Sequence, residues 1–245
     1  MILLIIALIV SFIPILLVYW FLRNRIKDED AYKTLCGSAL KTGLLCIFPV
    51  ILFSAIFQIV VSLTGVKNTN RLLYDGLYTF IVLALAEEIA KYRMFRRMLK
   101  KTDYPVSWLD VTALMTIVGI GFDLIESLIY AIGESVSVIL VRGICVPHAG
   151  YGFLVGYFYG KGVKNGNPGT KWIGFVLAWL IHGMYDFSLS ESFLAVNDNL
   201  AIVPLVLAIL DILLVIVLVR FAIKARNQAL YTEPLPVDLP DRAEG

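Results

Sequence analysis

Charged residues are scarce in this sequence, and the scarcity restricts the classes of protein to which it can belong. Only 16% of the 245 residues are charged, whereas 59% are hydrophobic. A soluble globular domain has about 25% charged residues, so this composition is typical of a membrane protein that crosses the bilayer several times. No basic patch with interleaved aromatic residues occurs, and we therefore predict no nucleic-acid partner.

Cysteine is also scarce, which excludes a disulfide-stabilised secreted domain. The three cysteines all lie in apolar segments: Cys36, Cys46 and Cys145. They are too few and too deeply placed to form a disulfide framework. No internal repeat and no low-complexity tract is present, so the chain is not a repeat array.

Long apolar runs are what the sequence has in abundance. Each run is similar in length to a membrane-spanning helix, which needs about 20 residues to cross the hydrocarbon core. The runs cover residues 1–22, 35–63, 72–91, 108–133, 135–160, 172–189 and 201–223. The sequence therefore predicts an all-α, polytopic membrane protein with about seven transmembrane helices.

These runs form one predicted transmembrane domain over residues 1–223, followed by a polar, proline-rich tail over 224–245 that we expect to be disordered. The first run has its positive charges after the apolar core, unlike a signal peptide, and is predicted to be a retained helix. The second run is predicted to bend at Pro49, which lacks a backbone donor.

The positive charges fall on one side of this predicted arrangement. They concentrate in the links at 23–33, 91–101 and 161–171 and at the start of the tail. Seven spans place all these links on the same side, which the positive-inside rule assigns to the cytoplasm. We therefore predict an N-terminus outside the cell and a cytoplasmic C-terminus.

Two adjacent carboxylates interrupt the third apolar run. An ionisable side chain inside a membrane segment costs about 2.5–3.5 kcal/mol, so it usually has a function and a partner. On a helix Glu87 and Glu88 point about 100° apart, and Lys91 lies within reach of either. The alternative is a helix end that emerges among the lipid headgroups, where Glu88 pairs with Lys91.

The only two histidines of the chain also lie inside apolar runs. At about 1.5 Å per residue, His148 and His182 fall close to the middle of the membrane, within a helical turn or two of Glu87. We therefore predict that the three side chains share one functional site. Asp186 lies four residues after His182 on the same helical face, where it can orient His182 or add an acceptor.

Other polar residues in the runs have more structural interpretations. Glu126 and Arg142 lie at a similar depth in adjacent spans and are predicted to form an ion pair that sets their register. No partner for Asp211 is evident in the sequence. Small residues at four-residue spacing predict a close helix contact along the fifth span: Gly152, Gly156 and Gly160.

A carboxylate with two imidazoles inside a membrane suits hydrolysis, because the carboxylate can take a proton from water while an imidazole stabilises an oxyanion. The absence of a Gly-x-Ser-x-Gly turn disfavours a serine nucleophile. Glu87, His148 and His182 are also a zinc-binding set, although His-x-x-x-His spacing is absent. We favour no cofactor, with zinc as the alternative, and proton-coupled transport is the competing function.

The polar residues follow an ordered pattern on four successive spans, over residues 72–189. It reads Glu87-Glu88-x-x-Lys91, Gly121-Phe122-x-x-x-Glu126, Arg142 followed by His148, and His182-Gly183-x-x-Asp186. This pattern resembles the PrsW family of bacterial intramembrane proteases, which is distantly similar to the CaaX-type (CPBP) membrane proteases.

The resemblance implies a multi-pass protease of the bacterial plasma membrane. PrsW-like members make the first cut in a membrane-bound anti-sigma factor during envelope stress, so the implied substrate is a single-span membrane protein. By likeness to the CaaX-type enzymes, Glu87 and His148 would activate water, and His182 with Asp186 would stabilise the oxyanion. Glu88 and Lys91 would support them. A proton-linked transporter or a membrane scaffold is the non-proteolytic alternative.

Overall fold

The computed structural model describes the backbone of residues 2–24, 30–132, 136–228 and 235. Side chains are described within these ranges except at 137, 138, 141, 142, 144, 198 and 222–228. The described residues form helices and short links without a strand, so the predicted all-α class is confirmed.

The α-helices are α1 (Ile2–Arg23), α2 (Asp30–Leu45), α3 (Ile47–Leu63), α4 (Arg71–Leu77), α5 (Ala86–Lys100), α6 (Trp108–Tyr130), α7 (Val136–Cys145), α8 (Pro147–Lys164), α9 (Pro168–Ser188), α10 (Glu191–Leu194) and α11 (Ile202–Gln228). A π-helical segment, Tyr78–Leu85, joins α4 to α5. Short 3₁₀ turns cover Val66–Asn68 and Asp198–Ala201.

Four helical stretches are long and apolar enough to cross a membrane, within the part of the chain that the structure describes. They are Ile2–Arg23, Asp30–Leu63, Trp108–Tyr130 and Asn199–Phe221. They correspond to the first, second, fourth and seventh predicted spans. The other three predicted runs are helical too, but the count of seven spans and the orientation of the termini stay predictions.

The predicted fifth span is not one continuous helix. The run over 135–160 divides into α7 and α8 at Val146, whose φ of 44° is left-handed. Pro147 is the first residue of α8, and a proline disfavours the helical conformation in the residue before it. The fifth predicted span is therefore broken at Val146, and His148 lies in the first turn of a new helix.

The second run is interrupted slightly before Pro49, the residue at which we predict a bend. Helix α2 ends at Leu45, and α3 begins at Ile47. A proline ring clashes with the carbonyl four residues earlier, which here belongs to Leu45. The break at Cys46 is therefore the consequence of Pro49.

Helix α6 lies at the centre of the bundle, and glycines allow its neighbours to approach it. A Cβ atom on Gly121 would collide with the Leu40 carbonyl oxygen of α2. The predicted small-residue ridge of α8 packs on the other side of α6, where Gly152 faces Met115 and Gly156 faces Thr112. The ridge is thus a packing seam that brings the backbone of α8 against α6.

Neighbouring helices hold the π-helical segment by its backbone carbonyl groups. Ser54 Oγ of α3 donates to the Val82 carbonyl at 2.8 Å, and Trp179 Nε1 of α9 donates to the Phe80 carbonyl at 2.6 Å. π-Helical segments are rare and are frequently found at functional sites. This segment fixes the rotation of α5 and therefore the direction in which its first residues point.

The last helix extends beyond the predicted end of the seventh span, since α11 continues to Gln228. The predicted disordered tail after this point lies outside the described residues, apart from Leu235. That residue is buried, and its N–H donates to the Val106 carbonyl at 2.9 Å.

The α2–α6 contact predicts opposite effects for two glycine-to-alanine changes. Gly121→Ala forces α2 away from α6 and should cost about 1–3 kcal/mol in unfolding free energy. Gly37→Ala meets no atom within 4 Å and should stabilise α2 by up to about 1 kcal/mol. Thermal unfolding of both variants in detergent micelles checks this, and equal shifts in midpoint would contradict the close contact.

Candidate active site

Helix α5 carries three ionisable residues that are all buried in the bundle. The exposed fraction is 8% for Glu87, 1% for Glu88 and 1% for Lys91. Glu88 and Lys91 do pair, as the alternative interpretation expected, but they do so inside the bundle and not at an exposed helix end. The π-helical segment directly precedes them, so they occupy the first turns of α5.

The ammonium group of Lys91 joins two helices of the site. It donates to Glu88 Oε1 at 2.6 Å and contacts Nδ1 of His148 at 2.7 Å. An ammonium group has donors only, so Nδ1 of His148 accepts this hydrogen bond. The neutral ring of His148 therefore carries its proton on Nε2.

The other nitrogen of His148 faces two carboxylates. Nε2 lies 2.8 Å from Oε2 of Glu126 and 3.7 Å from Oε2 of Glu87. Glu126 thus contacts the site directly, and its predicted ion pair with Arg142 stays a prediction. The side chain of Arg142 lies outside the described part of α7.

Asp123 of α6 holds the beginning of α8 in place. Its Oδ1 accepts from the N–H of His148 at 3.3 Å, and its Oδ2 accepts from the N–H of Ala149 at 3.2 Å. The N-cap residue Val146 offers no side-chain acceptor of its own, and the first N–H groups of a helix need acceptors. Asp123 therefore caps α8 from a neighbouring helix and fixes the position of His148.

Carboxylates also surround His182 of α9. Its Nδ1 lies 3.1 Å from Oε1 of Glu88, and its Nε2 lies 3.3 Å from Oδ2 of Asp186. The contact with Asp186 is the one that the four-residue spacing predicts. Because a carboxylate oxygen faces each ring nitrogen, the arrangement suits a ring with a proton on both nitrogens, which can donate two hydrogen bonds.

One oxygen of Glu87 lies between the two histidines. Oε2 is 3.7 Å from Nε2 of His148 and 3.7 Å from Nε2 of His182, which is beyond hydrogen-bond range. It is buried and has no hydrogen-bond partner among the described residues. The predicted triad of Glu87, His148 and His182 is thus brought together around one point, with a carboxylate oxygen available to a reacting group.

The side chains of Glu87, His148 and His182 are close enough together to be considered as ligands of a catalytic zinc ion. The ligand atoms of Glu87, His148 and His182 all lie within 4.8 Å of one another, and a tetrahedral zinc site places its ligand atoms about 3.4 Å apart. Glu88 at Nδ1 of His182 is the usual support for a metal-binding histidine. The Lys91 contact opposes this, because it puts a proton on the nitrogen of His148 that would face the metal.

Tyr151 and Asp211 are two site residues that the sequence alone did not identify as a pair. The Tyr151 hydroxyl donates to Oδ2 of Asp211 at 3.3 Å, and its ring stacks on His182 with the centroids 5.0 Å apart. The sequence contained one signal for Tyr151: it lies three residues after His148 and therefore on the same face of α8. Asp211, left without a partner in the sequence, has one here.

The hydrogen bond to Tyr151 does not explain Asp211 by stability alone. An acid inside a membrane span costs about 2.5–3.5 kcal/mol, and one hydrogen bond to a charged group contributes about 1.5–3 kcal/mol. Asp211 is fully buried within α11, and its Oδ1 atom has no hydrogen-bond partner among the described residues, so the chain carries it at a net cost.

Comparison with known proteins finds one family and several relatives. A family model described as "PrsW family intramembrane metalloprotease" matches residues 31–218. Protease PrsW of Oceanobacillus iheyensis is 28% identical over 122 residues, which are 47% of this chain and 57% of that protein. The match thus spans little more than half the length of that relative.

Two further relatives match over a larger share of their length. Protease PrsW of Geobacillus kaustophilus is 24% identical over 71% of this chain and 74% of that protein. Protease PrsW of Clostridioides difficile is 24% identical over 73% of this chain and 77% of that protein. No solved structure shows a significant match.

The cap on α8 predicts a graded response to changes at Asp123. Asp123→Ala removes both acceptors and should cost about 1–2 kcal/mol in unfolding free energy, whereas Asp123→Asn keeps one acceptor and should cost less. Thermal unfolding and amide hydrogen exchange at His148 and Ala149 measure this.

The matched control is Thr116→Val, which removes only a hydrogen bond within α6, to the Thr112 carbonyl. Unchanged exchange at the two capped amides in Asp123→Ala would show that α8 begins without help from α6.

Proposed function

The chain belongs to the PrsW family, and on that premise we propose that it is a membrane-embedded protease that hydrolyses a peptide bond of a membrane-anchored protein. The observation that carries the proposal is the buried Oε2 atom of Glu87, 3.7 Å from Nε2 of both His148 and His182. The relatives named as proteases support the reaction class.

Glu87 is the proposed general base. Its free oxygen takes a proton from a water molecule, and the water oxygen attacks the carbonyl carbon of the scissile bond. The Nε2–H group of His148 donates to Glu126, and the ring of His148 borders the same point, with Nε2 3.7 Å from Oε2 of Glu87. When the C–N bond breaks, the proton on Glu87 passes to the leaving amine, which restores the carboxylate.

His182 is the proposed stabiliser of the oxyanion that forms on the carbonyl oxygen. Buried donors aimed at developing charge are strong contributors to catalysis, because they need no reorganisation during the reaction. Asp186 and Glu88 orient His182, and Lys91 orients His148. Glu126 accepts from Nε2 of His148 and supports it from α6.

A zinc-dependent protease is the second candidate, favoured by the spacing of the three ligand atoms and by the description of the family model. Glu87, His148 and His182 would hold the ion, which when bound would lower the pKa of water and polarise a carbonyl group. The Lys91–His148 contact is the reason for ranking it second.

The substrate class, the location and the trigger follow from the family resemblance and are part of the proposal. We propose a single-span membrane protein, such as an anti-sigma factor, as the substrate in envelope-stress signalling. The enzyme lies in the bacterial plasma membrane with seven spans, its N-terminus outside and its C-terminus in the cytoplasm. No nucleic acid takes part in the proposed reaction.

The proposed base predicts a loss of cleavage without a loss of folding. Glu87→Gln and His148→Ala should each lower cleavage by at least about 10²-fold, the minimum contribution of a positioned acid or base. Cells that make the wild type are compared with cells that make each variant, and mass spectrometry of small single-span membrane proteins reports the fragments.

Glu191→Gln, a change at an exposed glutamate, is the control and should leave the fragments unchanged. Full cleavage by either site variant would overturn the assignment. No fragment in any strain, at equal protein levels and under envelope stress, would favour a proton-linked transporter or a scaffold.

Metal content separates the two enzyme candidates. The favoured mechanism predicts purified active protein with no stoichiometric zinc and with full activity after exposure to a chelator. Elemental analysis of the wild type and of Glu87→Gln checks this. One zinc per chain in the wild type, lost in Glu87→Gln, would establish the zinc-dependent candidate instead.

A further inference from the structure

We propose that Tyr151 and Asp211 are positioning residues that hold the ring of His182, so that the last helix, α11, is part of the site. The inference rests on the proposed function and extends it to residues for which neither the family resemblance nor the sequence pattern gives a role. It starts from the surroundings of the His182 ring.

The two hydrogen-bonding contacts of His182 lie at the edge of its ring. Glu88 faces Nδ1 at 3.1 Å, and Asp186 faces Nε2 at 3.3 Å. Contacts at the ring edge fix how the ring turns within its own plane but leave its tilt less restricted. A group on the face of the ring is needed to fix the tilt.

Tyr151 supplies that group. Its ring lies nearly parallel to the ring of His182, with the centroids 5.0 Å apart and an angle of 20° between the planes. The His148 ring lies at 4.9 Å and 83°, so it meets His182 edge to face. Tyr151 is therefore the stacked neighbour that sets the tilt of His182, and with it the direction in which Nε2 points.

Asp211 in turn fixes Tyr151. The hydroxyl of Tyr151 donates to Oδ2 of Asp211 at 3.3 Å, and Asp211 is fully buried although most of the described side chains of α11 are exposed or half-buried. The fully buried face of α11 includes Leu218, seven residues later, and Gly150 of α8 faces Leu214 on the same side. Helix α11 thus turns this one acid toward α8 and the site.

A packing role for the pair makes a different prediction from a positioning role. A tyrosine that only fills space is replaced by phenylalanine without effect, since the ring keeps its size. If the hydroxyl must be held by Asp211, then losing either partner loosens the same ring, and the two losses are not additive.

The test measures kcat and KM for Tyr151→Phe, Asp211→Leu and the double variant in the full chain, on a substrate fragmented by the wild type. We expect each single change to lower kcat about tenfold, as for one lost hydrogen bond in a buried site, with little change in KM. The double variant should be no slower than either single variant. Asp211→Asn, which keeps an acceptor oxygen, should recover most of the kcat that Asp211→Leu loses.

A spectroscopic arm tests the positioning without relying on proteolysis. Because the chain contains two histidines, ¹⁵N-histidine labelling gives one set of ring signals for each. Tyr151→Phe and Asp211→Leu should both move the His182 signals more than those of His148, whose ring meets Tyr151 edge to face with the centroids 5.6 Å apart. The control is Asp75→Asn, which removes a buried carboxylate that accepts from the Ser192 hydroxyl at 2.7 Å, away from the site.

Unchanged His182 signals, additive losses of kcat, or a Tyr151→Phe variant with wild-type kcat would each overturn the proposal. An active Glu87→Gln variant would instead refute the proposed protease mechanism, while the histidine signals would still decide whether Tyr151 and Asp211 position His182.

Discussion

The arrangement of the site depends on one buried ammonium group. Lys91 binds Glu88 on its own helix and His148 on α8, and Glu88 also contacts His182 on α9. One cation and one carboxylate therefore connect three helices. Removing one partner of a buried pair leaves an uncompensated charge and typically costs about 3–5 kcal/mol, so the geometry of both histidines rests on this pair.

Because of this pairing, the two adjacent carboxylates have different roles in the proposed site. Oε1 of Glu88 is occupied by Lys91 and His182, whereas Oε2 of Glu87 lies 3.7 Å from Nε2 of both histidines. Oε2 of each glutamate has no hydrogen-bond partner in the described part of the chain. Two side chains with the same chemistry thus have different surroundings, because they point in different directions from one helix turn. A protein that keeps a buried carboxylate oxygen unpaired accepts a cost in stability, and such costs concentrate at functional sites.

Hydropathy predicted the helical class, and spacing predicted that Glu87, His148 and His182 meet. The second prediction was possible because ionisable groups are rare in apolar runs, so that their similar depth in different runs is informative. The contact of Asp186 with His182 followed from helical spacing on one chain segment. Contacts between segments did not follow, such as those of Glu126 with His148 and of Asp211 with Tyr151, because apolar periodicity does not say which helices are neighbours. The break before Pro147 had a local signal, but a long apolar run concealed it.

The central claim is that a water molecule attacks the scissile bond directly, between Glu87 and the two histidines. Cleavage of a substrate peptide by the purified protein in ¹⁸O-labelled water, with hydroxylamine as a competing nucleophile, tests this claim most directly. The account predicts one ¹⁸O atom in the new carboxyl terminus and no hydroxamate product. A hydroxamate, formed from a covalent acyl-enzyme, would contradict it and would point to a side-chain nucleophile.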